Sequence, residues 1–194
     1  MGDPAIVKKP VSVEQFLPLI ANGDPLELVH GEVVRKANPL PEHGAAQGKL
    51  LAGLDAFNRR VGGPRGPGGW WLMTEVDTIY AKTSEVFRHD AQGYRRDLHP
   101  ERPTGFPCPH VPQWACEILS PGNSRVDWIS KQRTLHAHQV PHYWLLDPRE
   151  ETLTVLRYHP DAYLVVLTAQ RGETVRAEPF GDIEIEMDEL LGLT

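Results

Sequence analysis

The segment from Gln113 to Leu146 constrains this fold more than any other. Gln113–Leu119 is a short apolar run of strand length, and His142–Leu146 is a second, ending at Asp147-Pro148. Between them, Ser124-Arg125-Val126-Asp127 has the pattern of a capping box, which opens a helix to about Gln139. A strand, a helix and a strand in that order favour a parallel pair joined by a right-handed crossover. The spacing therefore predicts an α/β protein with helices on the faces of its sheet.

The first of these strands carries a charge in apolar company. In Trp114-Ala115-Cys116-Glu117-Ile118-Leu119, strand alternation puts Ala115, Glu117 and Leu119 on one face and Trp114, Cys116 and Ile118 on the other. A carboxylate among such neighbours needs a partner, because an unpaired buried charge is expensive. A metal ion shared with Asp90, at the end of the short strand Glu85–Asp90, would supply one. Magnesium suits such a pair, since it takes one or two protein carboxylates and fills its octahedron with water or substrate.

The rest of the chain reads as short elements with irregular connections. Ser12-Val13-Glu14-Gln15 opens a helix through about Ile20, and Leu26–Lys36 reads as two short strands turning at His30-Gly31. Ala46, Leu50, Leu51, Leu54 and Phe57 give Pro41–Arg60 a helical spacing. Gly62–Gly69, GGPRGPGG, is a flexible connection, and Trp70–Ala81 reads as one strand. Five prolines between Leu98 and Pro112 predict a long irregular loop. Thr152–Tyr158 and Tyr163–Ala169 form a hairpin, followed by a short strand at Ile183–Ile185 and a helical turn near Asp188–Leu191. No repeat or boundary divides the chain, so residues 1–194 are expected to form one domain with its core at about 41–148.

Composition excludes rather than identifies. No apolar stretch approaches the roughly 20 residues that span a bilayer, and Met1–Pro10 lacks the apolar core of a secretory signal. Cys108 and Cys116 are too few for a disulfide framework and suit a reducing cytoplasm. With His110 they suggest zinc, yet no fourth ligand follows at a recognisable spacing. The five tryptophans read as core or interface aromatics. The net charge of −6 argues against passive nucleic-acid binding, which rests on phosphate neutralisation. Two basic clusters, Arg59-Arg60 with Arg65 and Arg88 with Arg95-Arg96, read as solvated loop charge.

An ordered set of motifs adds a resemblance. Glu27-Leu28-Val29-His30-Gly31-Glu32, Pro41-Glu42-His43, Arg88-His89-Asp90, Cys116-Glu117-Ile118-Leu119-Ser120-Pro121, Asp127 with Lys131, and Val140-Pro141-His142-Tyr143-Trp144-Leu145-Leu146-Asp147-Pro148 together resemble the Uma-two family, which belongs to the PD-(D/E)XK nuclease superfamily. The likeness runs from about Val11 to Leu191. It implies a restriction-endonuclease-like mixed central sheet flanked by helices, with added N- and C-terminal hairpins. It also implies a metal-dependent endonuclease acting on nucleic acid, DNA in the first instance, with Asp90 and Glu117 as metal-binding acids. The cofactor would be Mg2+, with Mn2+ as a substitute.

The superfamily often places a lysine two residues beyond the glutamate. Here that residue is Leu119, and the resemblance moves the catalytic lysine to Lys131 on the following helix. Lys131 also stands four residues after Asp127, the spacing of a surface ion pair, so both readings are open. Asp127 has a capping role as its other reading. Glu32 and His43 match recurrent family positions, while Glu75 and Asp77 lie on the strand before Asp90 and fit an exposed face. The usual proline before the aspartate is His89. Leu119 and the acidic total charge keep a second function in view, a catalytically silent DNA-binding or interaction module. A homodimer would let two active sites meet the two strands of a duplex.

Overall fold

The computed structural model of the chain describes residues 9–61, 67–120 and 125–194, with the side chains of 125–127 also outside the description. The start of the glycine-rich connection, the Ser124 cap and the Asp127 side chain therefore lie outside the described residues.

Helix α1 (Val13–Ile20) starts as its sequence predicts. The Ser12 hydroxyl accepts from the Gln15 N–H at 3.3 Å, and the Gln15 side chain accepts from the Ser12 N–H at 3.0 Å. Strands β1 (Leu26–Val29) and β2 (Glu32–Arg35) follow as an antiparallel hairpin. Its turn residues His30 and Gly31 both have positive φ, 49° and 77°, as the tightest hairpins require. A Cβ on Gly31 would lie 2.5 Å from that of Pro10, so this position needs glycine twice over.

Helix α2 (Pro41–Gly53) is shorter than its apolar spacing predicts; three glycines weaken it, and the chain leaves it through a 3-10 turn at Asp55–Phe57. The expected single strand at Trp70–Ala81 is two strands in different sheets, β3 (Trp70–Met73) and β4 (Val76–Tyr80). They part at Thr74-Glu75, where Glu75 takes a φ of 52°. Strand β5 (Glu85–His89) returns alongside β4, and β6 (Ala91–Arg95) returns alongside β3. The chain thus changes sheets outward at Glu75 and back at Asp90. The two crossing points are neighbours, tied by the Glu75 N–H on the His89 carbonyl at 3.1 Å.

Strand β7 (Trp114–Ile118), helix α3 (Arg125–Ala137) and strand β8 (His142–Asp147) form the expected parallel crossover unit. The hairpin of β9 (Thr152–Arg157) and β10 (Leu164–Gln170) completes a six-stranded sheet of order β10-β9-β8-β7-β6-β3, antiparallel except at β7–β8. Near the C-terminus, β11 (Thr174–Val175) pairs with β12 (Ile185–Glu186) before α4 (Met187–Leu190).

The N-terminal hairpin is not an appendage. Leu28 of β1 pairs with Val86 of β5, giving a second sheet of order β2-β1-β5-β4. Both faces of β7 are therefore covered. Trp114, Cys116 and Ile118 pack with α2, Trp144 and Phe180, while Ala115 packs with Tyr80, Phe87, Leu135 and Tyr143. Glu117 shares the second face and is 2% exposed. No described helix is long and apolar enough to cross a membrane.

Candidate metal centre at the sheet crossing

Asp90 lies at the return crossing because Ala91 pairs with Cys116 and leaves the aspartate opposite the end of β7. It is fully buried. Its Oδ2 accepts the Ile118 N–H at 2.6 Å, which fixes the carboxylate plane. Its Oδ1 faces three other groups. The Lys36 ammonium is 2.6 Å away and pairs with it, and the His43 Nε2 is 3.3 Å away. Ligand atoms of His43, Glu75 and Asp90 all lie within 4.8 Å of one another.

The surrounding side chains are aimed by neighbours. His43, on the first turn of α2, has its Nδ1 3.1 Å from the Ser120 hydroxyl. Facing Asp90, Nε2 is placed to donate to the carboxylate; with an ion bound, a proton on Nδ1 donated to Ser120 would free the Nε2 lone pair, as hydrogen-bond partners behind the ligands do for ligating histidines. Glu75 accepts from Lys36 at 3.0 Å and from Gln47 at 3.0 Å, and Gln47 also donates to the Asp90 carbonyl at 2.8 Å. Lys36, just past β2, additionally donates to the Arg88 carbonyl at 2.9 Å. Burial favours the neutral Asp90 acid, but His43 and the Lys36 ammonium outweigh it and hold the carboxyl below the usual carboxylate range. Burial likewise opposes the charge on Lys36; Asp90, Glu117 and Glu75 overcome it and raise the amine.

Glu117 stands beside this group but is held differently. Its Oε1 is 2.5 Å from His89 Nδ1, and its Oε2 accepts from the Lys131 ammonium at 3.2 Å. His89, the residue at the usual proline position, is fully buried and also meets the Tyr80 hydroxyl at 2.6 Å. Lys131 bridges to Glu27 at 2.9 Å, and the Glu27 carboxylate accepts the Arg88 N–H at 2.8 Å. Against burial, Lys131 and then His89 keep the Glu117 carboxyl low; burial leads at Glu27 and raises it. The result is a buried network of two acids around one lysine next to the Asp90 cluster.

The remaining candidates divide. Glu75 is exposed, as its strand pattern predicts, yet it joins the cluster. Asp77 is 4% exposed and bound by Arg88 through two nitrogens at 2.9 and 2.7 Å, so it is no exposed strand face. Glu32 is exposed on β2 and absent from the cluster. Lys36, Gln47 and Ser120 were invisible to spacing arguments, because each reaches the site from a different element. Glu27 had a usable signal: like Glu117, it is a carboxylate inside a short apolar strand.

A mixed sheet crossed by a second one, with four acids, two histidines and two lysines at the crossing, defines an α/β protein of the restriction-endonuclease-like class. Residues 13–188 match the sequence profile of the Uma2 family, described as "Putative restriction endonuclease". The chain belongs to that family. No curated protein matches it. Among solved structures, it is similar to a "putative nuclease belonging to DUF820" from Anabaena variabilis ATCC 29413, with 20% identity, a TM-score of 0.72, and coverage of 94% of this chain and 98% of that one. At that identity the likeness establishes the shared fold.

Proposed function

We propose that this protein is a metal-dependent endonuclease that hydrolyses phosphodiester bonds in DNA. The observation that carries this reading is the convergence of ligand atoms of the buried Asp90 with those of His43 and Glu75, all within 4.8 Å of one another. A buried carboxylate beside an imidazole and a second carboxylate suits a hard divalent cation. Asp90, His43 and Glu75 would hold Mg2+, or Mn2+ in its place, with Glu117 adding negative charge alongside. Such an ion supplies an activated water and neutralises charge on the phosphoryl oxygens.

The chain's own groups have distinct tasks in this reading. Asp90 stays ionised because His43 and Lys36 favour its charged form. Lys131 and His89 keep Glu117 ionised and fixed, so Lys131 is a positioning residue acting through Glu117. Lys36 supplies a cation beside Asp90 where a scissile phosphate would approach, a role that Leu119 cannot play. Two such sites, as in a homodimer, would serve both strands of a duplex.

Purified protein incubated with DNA and Mg2+ or Mn2+ is expected to cut, and Glu117→Ala and Asp90→Ala each to reduce cutting by about 100-fold or more, in line with loss of a main electrostatic contributor. Cutting that persists in both variants would reject the site. Calorimetric Mn2+ binding by wild type without any cutting would favour the silent DNA-binding or interaction module.

A further inference from the structure

The two arginine clusters that looked like solvated loop charge are treated unequally by the fold. Arg59 pairs with Asp55, Arg95 with Asp97, and Arg88 with Asp77. Three distant exposed arginines are paired too, Arg157 with Glu178, Arg171 with Glu151 and Arg176 with Glu184, whereas Arg133 and Arg149 have no acidic partner among the described residues. Arg60 and Arg96, one from each cluster, have no acidic partner among the described residues, and neither has Arg102 from the proline-rich loop.

Arg96 and Arg102 line one concavity, and the charge of Arg60 reaches Arg96. A cavity of about 530 Å³ is lined by Arg96, Arg102, Trp71, Asn58, Met73 and Val76, among others. The Arg96 guanidinium lies 3.3 Å from the centre of the Trp71 ring, and its Nε donates to the Trp70 carbonyl at 2.8 Å. The Trp71 Nε1 is itself tied to the His99 carbonyl at 3.0 Å. The guanidinium is thus held flat with its two terminal nitrogens making no hydrogen bond among the described residues. A planar fork fixed in this way is pre-organised for a phosphate. Burial, and then the charge of Arg60, weaken Arg96's hold on its proton, as two cations brought together without an anion would.

The cavity lining flanks one residue of the candidate metal centre in the chain. Met73 and Val76 line it, and the crossing between them carries Glu75. In a chain of net charge −6, arginines left without an acidic partner around one cavity suit an anion that arrives with the substrate.

We propose that the Trp71–Arg96–Arg102 cavity is a phosphate-binding subsite for the nucleic-acid strand flanking the bond to be cut. The inference rests on the nuclease reading for its substrate class, and it assigns that substrate a second anchor away from the metal centre. Arg96 grips one backbone phosphate with its free nitrogens, and Arg102 and Arg60 supply further positive charge.

The test is DNA binding by the intact chain in EDTA, where cutting is blocked. Fluorescence anisotropy of labelled 20-mers, single- and double-stranded DNA and RNA of the same sequence, is followed against salt. Arg96→Gln, which keeps a planar group on Trp71, and Arg102→Gln, at an exposed loop position, are each expected to weaken binding about fivefold at low salt. Each should lower the slope of log affinity against log salt by about one, the signature of one lost phosphate contact. Arg171→Gln, in a remote pair, is expected to change neither. Unchanged affinity and slope in the Arg96→Gln, Arg102→Gln double variant would overturn the subsite while wild-type cutting keeps the nuclease reading. Wild type that cuts in Mn2+ but binds no probe in EDTA also overturns the subsite alone. Wild type that neither binds nor cuts any probe overturns both.

Discussion

At the scale of single residues, the site is a balance of charges in which Lys36 holds the place next to Asp90 that a divalent ion would share. Lys36→Met removes a positive charge 2.6 Å from Oδ1 and is expected to tighten Mn2+ binding about tenfold or more, read by calorimetry. Unchanged affinity would mean that the amine already swings aside at no cost. Asp90 also predicts an acid dependence. Its folded carboxyl is held below the usual range, so its contribution to stability is fully present above the unfolded value of about 3.9 and is lost as pH falls through the folded value. Between pH 5 and pH 2.5, wild type should therefore lose more stability than Asp90→Asn, measured as the shift in urea midpoint. Equal losses would show that other acids dominate the acid limb. Lys131 belongs to the same balance: held by Glu27 and Glu117, it is 3% exposed, and removing it would strand two buried carboxylates.

At the scale of elements, the β1–β2 hairpin delivers both Glu27 and Lys36 to the crossing, so its turn reports on the site from a distance. Gly31→Ala places a methyl against Pro10 at a φ of 77° and is expected to lower stability by about 1–3 kcal/mol, as strained left-handed positions do. It should also weaken Mn2+ binding, measured beside the unfolding midpoint; a stability loss with intact metal affinity would show that the site tolerates hairpin movement. The capping box of α1, the hairpin turn, and the parallel unit of β7, α3 and β8 were all legible, because each is specified by residues within a few positions. The break at Thr74-Glu75 was not. Trp70-Trp71-Leu72-Met73 and Val76-Asp77-Thr78-Ile79-Tyr80 both favour strands, and nothing in Glu75 itself announces a left-handed φ. That miss hid the sheet crossing, and with it the route by which Glu75 reaches Asp90.

At the scale of the whole molecule, the C-terminal segment closes the core on the face of β7 opposite Glu117. Phe180 packs at centroid distances of 4.8–5.7 Å against Phe57, Trp70, Trp114 and Trp144, joining the end of the chain to three strands and the turn after α2. Phe180→Ala is expected to cost about 3–5 kcal/mol, seen as a fall in Tm, because the cavity it leaves is walled by rigid rings. A loss below about 1 kcal/mol would mean the C-terminal segment is not part of the cooperative core. The sequence by itself determined the α/β class and the parallel unit, since strand alternation and capping are local, and it singled out Glu117 as a candidate because a carboxylate in an apolar strand stands out, with Asp90 as its proposed companion. The tertiary structure alone decided how those acids are used: Glu117 is bound to Lys131 and His89, while Asp90 faces His43, Glu75 and Lys36. Those partners come from residues 36 to 131, and only the sheet crossing, a long-range pairing with no local signal, brings them within reach of one another.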